Sequence, residues 1–331
     1  AGGPTPARPP RARAIGMLQY AVNRFLHTVV LLFLISVFVF ALMKLAPGDP
    51  VTVMLGADYN PESYARLRSE LGLDRSVVVQ YVIWVWRFVQ GNWGTSYISG
   101  APVAKLVLQD ALPVTAYLSF WSLVFALVIA IPSGVVAALR RNTWVDYAGM
   151  GLAIFFNSFP SFYLGIVLIW IFGVSLGWFP TMGYVSPGAD VGSSLLHMVL
   201  PAFTLGAWYA GLIARITRSS LVDVLGQPYI KVARAKGVEG RAVVYKHALR
   251  NVLIPVVTIV GLQLGGMLRG AVMTETVFAL PGIGRLVTIA VLNREYHLVQ
   301  ATVMVIAIMF ILINLLVDVL YRFLNPRVRE A

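Results

Sequence analysis

No Asp, Glu, Lys or Arg interrupts the chain between Ala111 and Leu139. The same is true of Phe25–Met43, Tyr147–Ala189, Val191–Ala214, Asn251–Leu268 and Tyr296–Val317. A helix that crosses roughly 30 Å of hydrocarbon needs about 20 predominantly apolar residues. These runs are too long for buried core helices of about 10–14 residues. They are apolar on every face, whereas barrel strands alternate strictly over about 10 residues. Composition agrees: 58% of residues are hydrophobic and 12% charged, against about 25% charged in soluble domains. The expectation is an all-α polytopic membrane protein with six transmembrane helices. Within the third run, Gly177, Pro180 and Gly183 are predicted to mark the end of the span.

Charge sets the expected orientation, because basic residues collect in cytoplasmic loops. Arg8, Arg11, Arg13 and Arg24 precede the first span with no acid among them. The 44–110 segment holds six basic and six acidic residues, whereas Arg215–Arg250 holds eight basic residues against Asp223 and Glu239. Both termini and the 215–250 loop are therefore expected in the cytoplasm, and 44–110 outside. The net charge of +12 is read as this topology signal rather than as a nucleic-acid footprint. Lys44-Leu45-Ala46-Pro47 lacks the small residues of a signal-peptide cleavage site, so the first span is read as uncleaved. Met17 would make a natural start, and residues 1–16 are read as an extension or a tag remnant.

Two loops carry more than connection. In the external segment, Asn60-Pro61-Glu62 reads as an N-cap, a first-turn proline and a first-turn acid. Gly72 suits the stop of that helix, and a second helix is predicted over Ser76–Val89 with Val77, Tyr81, Trp84 and Phe88 at helical spacing. It reads as a cap on the outer leaflet and also as a docking surface for an external partner. In the basic loop, Pro228 sets a helix start and Gly237 suits the left-handed position after its end. Between them lie Tyr229, the small residues Ala233 and Ala235, and the bases Arg234 and Lys236, with His247 following. Taken alone, a basic loop is usually only a topology anchor. Pro255, early in the fifth span, would free the carbonyl of Asn251.

Several chemistries have no residues to carry them. There is no cysteine, and the four histidines show no metal-ligand spacing. The dipeptide Gly-Lys never occurs, so the chain has no phosphate-cradling P-loop. Neither G-x-S-x-G nor H-E-x-x-H is present. No catalytic residue and no metal site are assigned. Ionisable residues within spans usually mark a pathway, and here they are few: Asp318, Arg269 and Glu275. Such scarcity argues against a self-sufficient proton- or sodium-coupled carrier. Each of the three reads first as interfacial or structurally paired. As pathway or external-gate candidates the set is Arg269, Glu275 and Gln263. Gly261-x-x-x-Gly265 and Gly266-x-x-x-Gly270 read as helix-packing surfaces.

The ordered motifs resemble one family along Met17–Arg329. They include Pro47-Gly48-Asp49-Pro50, Glu70-Leu71-Gly72-Leu73-Asp74, Gly91-Asn92-Trp93-Gly94-Thr95-Ser96 and Pro102-Val103. Further on come Ala233-Arg234-Ala235-Lys236-Gly237 and His247-Ala248-Leu249-Arg250-Asn251-Val252-Leu253-Ile254-Pro255. The set closes with Glu275-Thr276-Val277-Phe278, Pro281-Gly282-Ile283-Gly284-Arg285, Asp318-Val319-Leu320-Tyr321 and Asn325-Pro326-Arg327. Together they resemble the inner-membrane permease of an ATP-binding-cassette (ABC) importer, of the dipeptide/oligopeptide/nickel branch, and the first permease of its pair.

The resemblance implies a type I ABC importer permease fold. It places a first helix at 17–44, an external helical segment at 45–110, a five-helix core at 111–322 and a cytoplasmic tail at 323–331. Within the core, 223–250 is the coupling loop that docks on a cytoplasmic ATPase. The general Glu-Ala-Ala-x-x-x-Gly pattern of that loop falls here on Lys231, Val232, Ala233 and Gly237, and the later Ile-x-Leu-Pro on His247, Leu249 and Arg250. A second departure is Arg269, where a small residue is expected. The implied partners are a second homologous permease, two ABC ATPase subunits that bind ATP and magnesium, an extracytoplasmic substrate-binding protein and membrane lipid. No nucleic acid is implied, and the chain itself takes no cofactor and is not an enzyme. The location is the inner membrane. Peptides are the expected cargo, with nickel, glutathione or oligosaccharide as alternatives in the same class. An ion-coupled carrier, an exporter or a membrane-embedded enzyme are the readings from other classes.

Overall fold

The structure, a computed structural model, describes residues 10–45, 49–55, 60–70 and 72–324. Pro47, Gly48, Leu71, the Asn325-Pro326-Arg327 motif, the start of the 1–16 extension and the end of the 323–331 tail lie outside the described residues. The described chain is helical, and its one β element is an isolated bridge between Thr95 and Pro102. Two compact units form: residues 1–92 with 303–311, and residues 93–302 with 312–331.

The first unit contains α1 (Pro10–Leu45), α2 (Pro50–Leu55), α3 (Pro61–Glu70) and α4 (Val77–Val89). Asn60 caps α3 as its type suggests, its side-chain oxygen accepting the Ser63 N–H at 2.7 Å. Asp49 accepts the Val51 N–H at 3.1 Å, pairs with Arg68 at 3.6 Å and accepts a hydrogen bond from the Tyr64 hydroxyl. Ser76 caps α4. Tyr81 and Trp84 of α4 turn toward α1: both rings meet Phe40, and the Tyr81 hydroxyl lies 2.7 Å from Ser36 Oγ. No residue of α4 is fully buried.

The second unit is built round one helix. It comprises α5 (Val103–Leu139), α6 (Trp144–Ser158), α7 (Ser161–Ser175), α8 (Val191–Leu225), α9 (Pro228–Ala235), α10 (Gly240–Val277), α11 (Ile283–Leu292) and the end of α12 (Tyr296–Leu324). At 35 residues α8 is about 50 Å long at 1.5 Å per residue, so it outruns a bilayer core of roughly 30 Å. The span expected to end near Ala214 continues to Leu225. Small residues let neighbours approach it closely. A Cβ on Gly206 would sit 2.5 Å from the Ser122 carbonyl oxygen of α5, and one on Gly211 would sit 2.4 Å from the Ala153 carbonyl oxygen of α6. Toward the end of α8, buried Asp146 on α6 accepts two hydrogen bonds from Arg218 of α8, one of them 2.6 Å long.

Among the described residues, five helices are long and apolar enough to cross a membrane: Leu26–Leu45 within α1, then α5, α8, α10 and Tyr296–Asp318 within α12. The third expected span takes another form. The α6–α7 pair bends by 103°, and counting it as one broken crossing gives six. Phe159 is extended at φ −84°, ψ 134°, as steric clash with the following proline ring favours. The break thus falls at Pro160, inside the expected span, while the span itself ends at Ser175 next to left-handed Gly177 at φ +65°. Pro132, Pro201 and Pro255, by contrast, stay inside their helices.

Candidate functional site

The basic loop folds as its punctuation predicts. Pro228 occupies the first turn of α9. Gly237 is left-handed at φ +79°. Its N–H reaches the Arg234 carbonyl at 2.9 Å, and the Val238 N–H reaches the Ala233 carbonyl at 3.2 Å. That is a Schellman stop, which satisfies two carbonyls the helix end would leave open. Ile230 is the buried anchor of α9, in one apolar cluster with Leu221, Val243, Val244 and Ala248. The Tyr229 hydroxyl accepts a 2.7 Å hydrogen bond from Asn251 Nδ2, which ties α9 to α10. Lys231, Val232, Arg234, Ala235 and Lys236 face outward, while Ala233 and His247 are half-buried. The result is a short, pinned helix with a basic outer face. His247 lies in Val243–Ala248, a stretch of wider π-helical turns, and is apart from that face.

A second feature lies between α8 and α10. Arg269, Gln263, Gly266 and Gly270 line a cavity of about 330 Å³ together with Trp208, Tyr209 and Leu205 of α8. Ser161, the first residue after the α6–α7 break, completes its wall. The glycines shape it. A Cβ on Gly270 would stand 2.7 Å from Leu205 Cδ1, and one on Gly266 would stand 3.3 Å from the Tyr209 hydroxyl. The Trp208 backbone carbonyl is held by Asn157 Nδ2 at 3.2 Å. Gln263 Nε2 is buried without a hydrogen-bond partner. Sequence reasoning named Arg269 and Gln263 but missed Trp208, Tyr209 and Ser161. Their signal was the pairing of ring and polar tip next to small residues on facing helices, which no single helix displays.

The other candidates go elsewhere. Glu275 is fully buried and lines no part of this cavity. One carboxyl oxygen accepts the Thr115 hydroxyl at 2.6 Å, and the other accepts the Arg285 N–H at 3.0 Å. The Thr115 oxygen in turn accepts the Ile283 N–H at 2.8 Å. Glu275 and Thr115 therefore cap α11 from outside it. Gly261 packs against Val317 of α12, so a Cβ there would lie 2.5 Å from Val317 Cγ1, and Gly265 is buried. The Gly266 and Gly270 pair packs on α8 instead.

A helical unit with apolar spans, a pinned basic loop helix and a cavity between spans is a polytopic membrane fold. The chain matches the family of binding-protein-dependent transport system inner membrane components over residues 130–330, and the N-terminal family of the same components over 17–119. The permease of the glutathione transport system of Salmonella typhi, GsiC, is 44% identical over 313 residues, spanning 95% of this chain and 99% of the relative. The Escherichia coli protein of that name is 43% identical over the same shares. The inward-facing methionine ABC transporter MetNI covers 73% of this chain and 98% of its own at 20% identity, with a TM-score of 0.53, a likeness of fold. The chain belongs to the binding-protein-dependent transport family: it is an inner-membrane, multi-pass permease component of an ABC importer.

Proposed function

We propose that this permease carries short peptides into the cytoplasm, delivered by an extracytoplasmic binding protein and driven by two ABC ATPase subunits. The observation that carries this reading is the near-complete alignment with permeases named for glutathione transport, at 44% identity over 95% of the chain. Glutathione is itself an anionic tripeptide, so the peptide and glutathione readings meet in one chemistry. A second, homologous permease completes the path, and membrane lipid surrounds both.

The outer face of α9 is the ATPase contact. Tyr229, Ala233, Arg234, Ala235 and Lys236 lie between the helix start at Pro228 and the stop at Gly237, and the Tyr229–Asn251 hydrogen bond joins that contact to a spanning helix. Opening and closing of the ATPase pair then biases two arrangements of the spans, which couples the sites by differential contacts rather than by distance. This assignment puts α9 and both termini in the cytoplasm, in line with the eight basic residues of Arg215–Arg250. The 45–110 segment is then external, 111–322 is the core and 223–250 its coupling loop.

Co-purification in mild detergent tests the assembly. A second permease and two P-loop ATPases are expected to remain bound. Uptake of radiolabelled trialanine and glutathione by proteoliposomes holding the assembly tests the cargo. Recovery of the chain alone, with ionophore-sensitive uptake, overturns the reading.

A further inference from the structure

A cation lines the cavity between α8 and α10. Arg269 lines it, and among the described residues no Asp or Glu pairs with that guanidinium. Arg269 is 20 residues from Leu249 on one helix, or about 30 Å along the axis. It therefore lies about one hydrocarbon thickness from Leu249, toward the far end of the span, as an exposed residue, and an ionisable residue on a spanning helix usually marks a pathway. A second group in the same cavity is also unmatched: Gln263 Nε2 is buried with no acceptor. Buried donors without acceptors are rare. A third donor, the Tyr209 hydroxyl, stands beside Gly266 and Gly270, at 3.3 Å from where a Cβ would be on either. Guanidinium, amide and phenol can all donate to one oxygen acceptor, and the guanidinium favours an acceptor that carries negative charge. The cavity volume, about 330 Å³, suits a group of a few heavy atoms, and the Trp208 ring supplies an apolar wall.

We infer that this cavity is a transit subsite for a carboxylate of the cargo, with Arg269 as its counter-charge and Gln263 and Tyr209 as its hydrogen-bonding groups. The inference rests on the permease reading and adds a substrate class to it. Arginine suits the role because its planar fork matches a carboxylate and stays charged at all working pH. A weak, single-cation subsite also lets the cargo leave, as conduction requires.

The absence of cysteine gives a clean test that needs no transport. Ser161→Cys gives this chain its one thiol, on the cavity wall, and labelling in the nanodisc-embedded assembly is read on this chain after the subunits are separated on a denaturing gel. Its labelling rates with anionic sulfonatoethyl and cationic trimethylammonium-ethyl methanethiosulfonate are compared. The anionic reagent is expected to be favoured, and Arg269→Gln is expected to lower the anion-to-cation ratio on the order of tenfold, with Arg269→Lys keeping most of it. Millimolar trialanine is expected to slow labelling more than trialanine amide, and only when residue 269 is basic. An unlabelled thiol, a ratio indifferent to Arg269→Gln, or equal protection by the acid, the amide and inorganic phosphate would each overturn the subsite. ATPase co-purification and uptake are measured on the same preparations. Failure there strikes the permease reading and leaves the labelling result standing.

Discussion

Glu275 accepts the backbone N–H of Arg285, ten residues further along the chain, at 3.0 Å across the turn between α10 and α11. The contact gives the Glu275-Thr276-Val277-Phe278 and Pro281-Gly282-Ile283-Gly284-Arg285 motifs a single physical explanation. The acid on one helix caps the next. Replacing Glu275 by Ala leaves the Arg285 N–H without its acceptor and the Thr115 hydroxyl with only the long 3.5 Å contact to the Ala111 carbonyl. Each unsatisfied donor costs about 1–3 kcal/mol. Glu275→Ala is expected to lower the thermal midpoint of the detergent-solubilised assembly clearly, as read by fluorescence-detected size exclusion. A midpoint equal to wild type would show that the cap is dispensable.

Gly282 follows from the same geometry. A Cβ there would lie 2.2 Å from the Glu275 carboxyl carbon, although its φ of −91° is open to any residue. Gly282→Ala is thus a steric test rather than a backbone one, with overpacking expected to cost about 1–3 kcal/mol. Gly149→Ala, where nothing lies within 4 Å, serves as the control and is expected to be neutral or slightly stabilising. Equal midpoints for the two variants would refute the close packing.

Gly237 presents the opposite case. Nothing lies within 4 Å of its Cβ position, but its φ is +79°. Gly237→Val is therefore expected to strain the stop of α9 by about 1–2 kcal/mol without a clash, and Gly237→Asn by less. If α9 transmits the ATPase cycle, the valine variant hydrolyses ATP with little dependence on cargo-loaded binding protein while uptake falls. Retention of tightly coupled uptake would place the ATPase contact elsewhere.

The Asp146–Arg218 pair makes an asymmetric prediction. Asp146 is 1% exposed and also accepts the Asn142 N–H at 3.0 Å. Arg218→Ala strands a buried carboxylate, for which removal of a partner typically costs about 3–5 kcal/mol. Arg218→Ala with Asp146→Asn is expected to recover part of that loss. A double variant no better than Arg218→Ala alone would mean that the charge pair is not what holds α6 to the end of α8.

Helix existence was legible residue by residue, because hydrocarbon permits only backbones that bond to themselves. The runs beginning at Phe25, Ala111, Val191, Asn251 and Tyr296 each announce a helix by that rule alone. Local stops were equally legible where one residue type has one reason to be present, as at Asn60, Gly72 and Gly237. Pro160 was not. Its neighbours do not differ in kind from those of Pro201 and Pro255, and whether a freed carbonyl bends a span or is absorbed depends on what packs beside it.

The sequence by itself determined the class of this protein: the spans, the basic loop between fixed helix stops, the expected side of each loop, and the family. Those properties reside in composition and in positions a few residues apart. Only the tertiary structure decided which ionisable residue does what. Arg269 and Glu275 are six positions apart on one helix, and the sequence treats them alike. Packing turns Glu275 inward onto the N–H groups of α11 and turns Arg269 to a cavity with no acid. The difference is set by which helix faces each side chain, and facing is a property of contacts between distant segments.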